Sequence, residues 1–566
     1  RGEAIIDLPI FIHKIHAGEH LSLKGNYAGI GTELNEFVFP QDVRNCDKCH
    51  ANAAKADNWK LKPNRKTCGA CHDHVNFETG QGHGQINLAM PNDNVCTVCH
   101  DAAFIEEKHR PVSRPDPNNA LVVAGGSSNT HASWLASPQK PPPGARVFKY
   151  DLQAVTTTDG GPTGVFPVMK FRFTEGDAGV PFNVSNGTNE LLDGFAGSPS
   201  LYCVFAVPQD GIAEPADFNV SMSAYLKNVW RSGTGGALAG PDPQGYYTAT
   251  LTGARVPPSA KMLTCGLGYS YSLSSAPPLV QTNVTGFAYD GATRAGGVAI
   301  PMQNVWRVAT GYSGRRGATS SASNTGNIVA TSRCANCHNN IGVEPSYHAG
   351  QRNDGASCAW CHTQNRTSSG WTAGSESFIH AIHAAKKRTV PFNWHAVAAT
   401  EDHPQVRGFF GVHYPARLNA CESCHNPGTY DFSGPWYTPE NMARRLQQTV
   451  ATGTYNTSPL PDGGLPALAI SVSPYVVSDG GVSYGSGFSY SASTQMTTEA
   501  SPSTLVISPI ANTCFGCHDS PLATLHMRLN GGTLYGTRAE AAATAEQCVL
   551  CHGPGRTADI KAVHAR

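Results

Sequence analysis

The sequence predicts a mixed fold: two cysteine-rich segments with short helices and little regular secondary structure, separated by a β-rich middle. Three observations predict it. Of 18 cysteines in 566 residues, sixteen sit in eight copies of one five-residue pattern, all within 1–134 or 331–566. A His-x-x-His phrase recurs in the same apolar frame, as "FIHKIHAGEH" at 11–20 and "FIHAIHAAKK" at 378–387. Residues 135–330 hold no copy of the cysteine pattern and read as short strands between Gly/Pro turns.

The eight copies are "CDKCH" (46–50), "CGACH" (68–72), "CTVCH" (96–100), "CANCH" (334–338), "CAWCH" (358–362), "CESCH" (421–425), "CFGCH" (514–518) and "CVLCH" (548–552). Cys-x-x-Cys-His is the attachment signature of c-type haem. Two thiols add across the porphyrin vinyl groups, and the adjacent histidine becomes an axial iron ligand. The expected thioether residues are Cys46, Cys49, Cys68, Cys71, Cys96, Cys99, Cys334, Cys337, Cys358, Cys361, Cys421, Cys424, Cys514, Cys517, Cys548 and Cys551. The expected proximal ligands are His50, His72, His100, His338, His362, His425, His518 and His552. A zinc ribbon needs paired knuckles without a fixed trailing histidine, and a thioredoxin-like pair occurs once. Eight copies, each with its histidine, favour eight covalently bound haem c groups.

Composition agrees with this reading. Formal net charge is zero and Gly (59) and Pro (39) are abundant. No apolar run approaches the length of a membrane-spanning helix, and no basic block points to nucleic acid. The segments around the motifs are polar and loop-like, so the porphyrins themselves would supply the core. Covalent haem attachment happens outside the cytoplasm, so an exported protein is expected. The chain starts at Arg1 with neither a signal peptide nor an N-terminal cysteine, as a processed or incomplete chain would.

The chain has 23 histidines, and the eight proximal ones leave fifteen. For the five C-terminal motifs, five distal candidates stand out: His348, His380, His383, His526 and His564. For the three N-terminal motifs there are four: His13, His16, His83 and His109. Two histidines three apart share one helix face, so each His-x-x-His turn could grip two different irons. His20, His74, His131, His395, His403 and His413 are expected at the surface or behind the ligands, with His131 and His413 the two most worth watching. With both axial positions filled, an iron has no open site for substrate and is restricted to one-electron exchange. The rival is a multihaem reductase enzyme, which needs one haem without a distal ligand, and no CxxCK motif occurs. No catalytic residue is expected; any metal reduction would be outer-sphere, at an exposed haem edge. Asp47, Asp73, Asp101 and Asp519 sit beside the motifs and could orient imidazoles.

Both halves run HxxH, CxxCH, CxxCH, His, CxxCH, His, which marks an internal repeat. "FIHKIHAG", "FPQDVRNCDKCH", "YHAGQRNDGASCAWCH", "YPARLNACESCHNPGTYDF" and the closing "CVLCHGPGR" together resemble the OmcA/MtrC-type outer-surface multihaem cytochromes. The resemblance covers 1–134 and 331–566 in detail and the middle only in texture. It implies two multihaem c-type domains separated by a β-rich Greek-key/split-barrel domain. The implied division is a three-haem domain at 1–134, the β-rich domain at 135–330 and a five-haem domain at 331–566, with a haem-free insertion at about 450–510. It also implies an extracellular electron-transfer role at the outer cell surface. The partners implied are an outer-membrane porin–cytochrome conduit or other multihaem cytochromes, and extracellular metal oxides or flavins as acceptors. The motifs at 96–100 and 548–552, each last in its repeat, would be the termini.

Two departures from that family stand out. Members carry ten haems, so one of His13 or His16 is surplus here. It is either vestigial or a ligand to a haem of a neighbouring subunit, as in a polymeric extracellular cytochrome filament. Members also have a close-spaced cysteine pair in the middle domain, whereas Cys203 and Cys265 are far apart. In an oxidising compartment a disulfide is favoured over two buried thiols, and closing that loop would stabilise by roughly 4 kcal/mol. "VMKFRF" within the middle alternates apolar and basic residues, as a half-buried strand does.

Overall fold

The computed structural model describes residues 6–564 apart from 24–36, 38, 110, 114–133, 142–145, 160–162, 185–190, 193–194, 197, 254, 269, 274–297, 324–325, 345–346, 397, 400–405, 407, 459–460, 462–466 and 478–480. The fold is mixed, with short helices and several small antiparallel sheets. Its longest described helix, Leu8–Ala17, has ten residues. Among the described residues no helix is long and apolar enough to cross a membrane.

The middle is built on two antiparallel sheets. One orders Phe148–Thr157, Pro167–Glu175, Tyr247–Leu251 and Gly236–Ala239, with Ala178–Val180 beside the second strand. The other orders Val305–Val308, Leu263–Gly268, Ser200–Phe205 and Val220–Tyr225. The chain therefore passes from the first sheet to the second, back, and over again. Alternation in Pro167–Glu175 explains the strand: Met169, Phe171 and Phe173 are fully buried while Lys170 and Arg172 point outward. Lys170 pairs with Asp242 at 2.8 Å and Arg172 with Asp151 at 2.8 Å. From the opposite sheet, Leu201, Phe205 and Leu263 close the same core. Cys203 stands directly opposite Cys265 in the register of two neighbouring strands, and the two form a disulfide. The wide sequence gap is simply the hairpin and crossover that bring those strands together.

A third sheet recruits residues from ahead of the expected domain start at 135. It orders Val112–Ser113, Trp134–Ala136, Val298–Pro301, Ser270–Leu273 and Phe195–Ala196. Val298–Pro301 and Trp134–Ala136 pair in parallel, so this joint closes over more than 160 residues. The haem-free stretch near 450–510 forms a small sheet of Gln448–Ala451, Leu505–Ile507 and Leu534–Thr537. It also reaches the middle domain: Tyr490 packs edge-on against Phe205 at 5.5 Å and donates to the Arg255 carbonyl at 2.9 Å.

The middle domain is fitted tightly to the C-terminal segment. Trp306 packs edge-on against Trp360 at 6.3 Å, and its Nε1–H donates to Asp354 at 3.2 Å. Asn353 donates to the Met302 carbonyl at 2.9 Å and accepts from the Asn304 N–H at 2.8 Å. A Cβ at Gly266 would lie 2.4 Å from the Val305 carbonyl oxygen and 2.7 Å from the Trp360 ring, so this strand position admits glycine alone.

Candidate haem-ligand sites

Each CxxCH motif folds as a single helical turn. The His N–H donates to the carbonyl of the first cysteine in seven copies, at 2.8–3.0 Å, from Cys46–His50 through Cys548–His552. The eighth, Cys334–His338, ends the helix Thr331–His338. One turn of helix brings residues i and i+4 to the same side, with i+3 beside them. Two thiols and one imidazole thus face one patch. The sixteen motif cysteines form no disulfides with one another, unlike Cys203 and Cys265.

Opposite every proximal imidazole stands one of the distal candidates. The ring-centre distances are 6.1 Å for His13–His50, 6.1 Å for His109–His72 and 6.1 Å for His83–His100. In the C-terminal segment they are 5.9 Å for His383–His338, 6.2 Å for His348–His362 and 5.8 Å for His380–His425. His564–His518 and His526–His552 follow at 6.0 and 6.1 Å. Imidazole–metal bonds run about 2 Å, and a ring centre lies roughly 1 Å behind its nitrogen. Two imidazoles trans across one metal therefore have centres about 6 Å apart. The donor set fits a haem iron at all eight motifs.

Hydrogen bonds fix which nitrogen is left for a metal. The Nδ1 of His13, His109, His383 and His564 each meets the carbonyl four residues back, at 2.6–2.9 Å. His83 uses the Leu88 carbonyl at 2.8 Å, and His338, His362 and His552 use Glu344, Ala373 and Ala558 at 2.9–3.0 Å. Nε2 is the free nitrogen in each. Burial depresses His338 and His348 to about 4, helped by the partner imidazoles His383 and His362, and depresses His425 to about 3. A neutral imidazole is the form a metal needs.

The ninth candidate, His16, has the same local geometry and a different fate. Its Nδ1 meets the Ile12 carbonyl at 2.8 Å, and its ring sits against Phe37 and Phe39 at 5.6 and 5.3 Å. Among the described residues no proximal histidine faces it. His13 and His16 align with His380 and His383 in the repeated phrase. His383 faces the first motif of its half, and the N-terminal half contains no counterpart of that motif.

A cavity of about 3150 Å³ runs through the C-terminal segment, walled by the cysteines and histidines of all five motifs there and by their five distal partners. Residues 39–44 and His20 of the N-terminal segment also line it. His395 and His413 lie on its wall, and His395, in the left-handed region at φ 54°, packs on Trp394 at 4.2 Å. His74 comes within 6.3 Å of His72, but it is two residues away on the same turn, whereas His109 approaches on a separate helix. His131 and His403 lie outside the described residues.

The motifs also adjoin one another. Cys96 and Cys68 share a field, as do Cys46 and Cys71. Cys334 lies near Cys424 and Cys358, Cys517 near Cys421, and Cys514 near Cys548. The two segments join where Gln41 donates to the Cys337 carbonyl at 3.1 Å and Lys48 to the Ala335 carbonyl at 3.0 Å.

Of the flanking acids, Asp519 is buried, accepts from the N–H groups of Thr389 and Val390 at 2.8 Å each, and pairs with Arg388 at 3.3 Å. Asp73 accepts from the Leu23 N–H, Asp101 caps the helix Ala102–Lys108, and Asp47 pairs with Lys140. All four thus hold backbone or a cation. Sequence reasoning missed Gln41, Lys48 and Asp354, which depend on where distant loops run, and no signal in the sequence pointed to them.

Comparison with known proteins gives the family. The model of the MtrC/MtrF-like outer membrane cytochromes, domains II/IV, matches residues 2–110, 326–460 and 481–565. The multiheme cytochrome MtrC of Shewanella baltica (strain OS185) is 36% identical over 91 residues, which are 14% of this chain and 13% of that protein. The crystal structure of MtrC from Shewanella baltica OS185 aligns over 97% of this chain and 67% of its own, with 15% identity and a TM-score of 0.47. With more than half its length matched, the chain belongs to the MtrC/MtrF-like family of outer membrane multihaem cytochromes.

Proposed function

We propose that the chain is an octahaem electron-transfer cytochrome of the outer cell surface, carrying eight covalent haem c groups, each held by two histidines. The observation that carries this reading is the set of eight imidazole pairs at 5.8–6.2 Å. Bound haem supplies one-electron exchange; the protein denies it an open coordination site. The proximal and distal residues are those named above, with His13 rather than His16 serving the motif at 46–50. The domain division is a three-haem unit at 1–134, a β-rich unit near 135–330 and a five-haem unit at 331–566.

The neighbour relations arrange the motifs in one row: 96–100, 68–72, 46–50, 334–338, 421–425, 514–518, 548–552. The motif at 358–362 branches from 334–338. Its ends are the two motifs that close the repeats, so electrons would enter near one and leave near the other. Candidate donors are an outer-membrane conduit or another multihaem cytochrome, and candidate acceptors are metal oxides or flavins. Stopped-flow oxidation of the dithionite-reduced protein tests the role. All eight haems should reoxidise with ferric citrate or a flavin, and nitrite or hydroxylamine should cause no catalytic turnover. Sustained turnover of either would replace the carrier with an enzyme.

A second reading concerns His16. Its pinned Nδ1 and its ring position suit an axial ligand to an iron outside the eight pairs, carried by another polypeptide segment; a second copy of this chain would supply one only by releasing one of its own paired histidines. If the iron belongs to a second copy, His16→Ala abolishes ordered filaments seen by negative-stain imaging. Filaments that persist in that variant would remove that role.

A further inference from the structure

We propose that Arg316, delivered by the middle domain, is the counter-ion that binds the propionate carboxylates of the haem at Cys421–His425 and raises its potential. The inference rests on the haem reading above and adds a residue outside the CxxCH and histidine set.

Arg316 occupies the turn Arg315–Gly317 that follows the strand Val305–Val308, and its backbone is left-handed at φ 50°, ψ 33°. That conformation strains any side chain bearing Cβ. The turn drives the guanidinium inward to the cavity wall that carries His425. There one face lies over Trp436 at 4.9 Å and Tyr437 at 5.8 Å, and Nη1 reaches the Tyr437 hydroxyl at 3.4 Å. Its Nε is buried and has no hydrogen-bond partner.

Among the neighbouring groups, Tyr437 and Asp217 favour this cation, while Arg445 and Arg315 oppose it. Asp217, the nearby acid, is held by Arg315, whose Nε lies 2.7 Å from each carboxylate oxygen. Arg445, on the same cavity wall, adds a like charge, and burial with these cations lowers Arg316 to about 10. A buried, half-satisfied guanidinium costs several kcal/mol unless an anion meets it. A porphyrin propionate is an anion of the right geometry, because a guanidinium fork matches a carboxylate in two parallel bonds. The motif Cys421–His425 adjoins it: the Tyr437 hydroxyl that Arg316 reaches donates at 2.5 Å to the Thr429 carbonyl, in the turn that follows His425.

Arg316→Gln and Arg316→Lys in the haem-loaded full chain test the proposal, with potentials read by redox titration followed by low-temperature electron paramagnetic resonance. His380 and His425 are near-parallel, at 24°, so this centre belongs to the rhombic low-spin class. In Arg316→Gln one rhombic component should titrate more negative by about tenfold in its reduction equilibrium, about 59 mV for one electron. Arg316→Lys should keep most of the wild-type potential. Should the Gln variant lose haem, the proposal requires the Lys variant to retain eight. Eight haems with unchanged midpoints in both variants would overturn the Arg316 role while leaving the octahaem reading intact, as would equal shifts in Gln and Lys. Fewer than eight haems in the wild type would instead undo the reading beneath it.

Discussion

Asp354 shows how a single side chain shapes the turn into a CxxCH motif from outside it. Its carboxylate caps the turn that leads into Cys358, accepting from Ala356 at 2.8 Å and Ser357 at 3.2 Å, and it also takes the Trp306 Nε1–H. Burial pushes it up to about 6 from 3.8. The folded state therefore keeps its proton after the unfolded chain has lost it. Stability falls as pH rises from about 4 to about 6, by on the order of 3 kcal/mol, and is level above that window. Asp354→Asn retains an acceptor oxygen and should flatten this part of the pH profile; thermal melts from pH 4 to 7 check it, and parallel slopes in both proteins would contradict it. The paired histidines behave differently. His13→Ala should open one coordination site and give one high-spin ferric haem, whereas His16→Ala should leave the eight-haem spectrum unchanged. The turns of the CxxCH motifs were legible because the pattern is contiguous in sequence. Choosing between His13 and His16 required knowing that His13, and not His16, comes opposite His50.

Among the elements, the strand Pro167–Glu175 was readable from alternation alone, because one face meets the opposing sheet and the other meets water. Phe171 is fully buried in that interface, and Phe171→Ala should cost about 3–5 kcal/mol in chemical denaturation of the middle domain. Replacing Cys203 and Cys265 together by alanine should cost roughly 4 kcal/mol. A change below 1 kcal/mol for Phe171→Ala would mean that the two sheets do not share a core. The third sheet was not legible. It pairs Val112–Ser113 with Trp134–Ala136, and that strand in parallel with Val298–Pro301, and two- to four-residue strands carry too few alternations to announce themselves. The repeated helix phrase was legible because His, Phe and Ile recur at fixed helical offsets in Leu8–Ala17 and Ser375–His383.

Across the whole molecule, the proposed row of seven motifs, with 358–362 branching from it, crosses from the N-terminal to the C-terminal segment beside Cys337. Among the contacts at that crossing are hydrogen bonds from Gln41 and Lys48, each to backbone and worth about 1 kcal/mol. Gln41→Ala with Lys48→Glu should loosen the joint and split reoxidation into separate phases for three and five haems in stopped-flow traces; a single unchanged phase would contradict the proposed order. Whether every iron is held between two imidazoles is read by low-temperature electron paramagnetic resonance of the oxidised protein. Low-spin ferric signals alone are expected, in two classes. Rhombic signals come from the near-parallel pairs His13–His50, His83–His100 and His380–His425, and highly anisotropic signals from crossed pairs such as His109–His72 at 89° and His526–His552 at 84°. A substantial high-spin ferric signal would contradict two-imidazole ligation, since at least one iron would then present an open site.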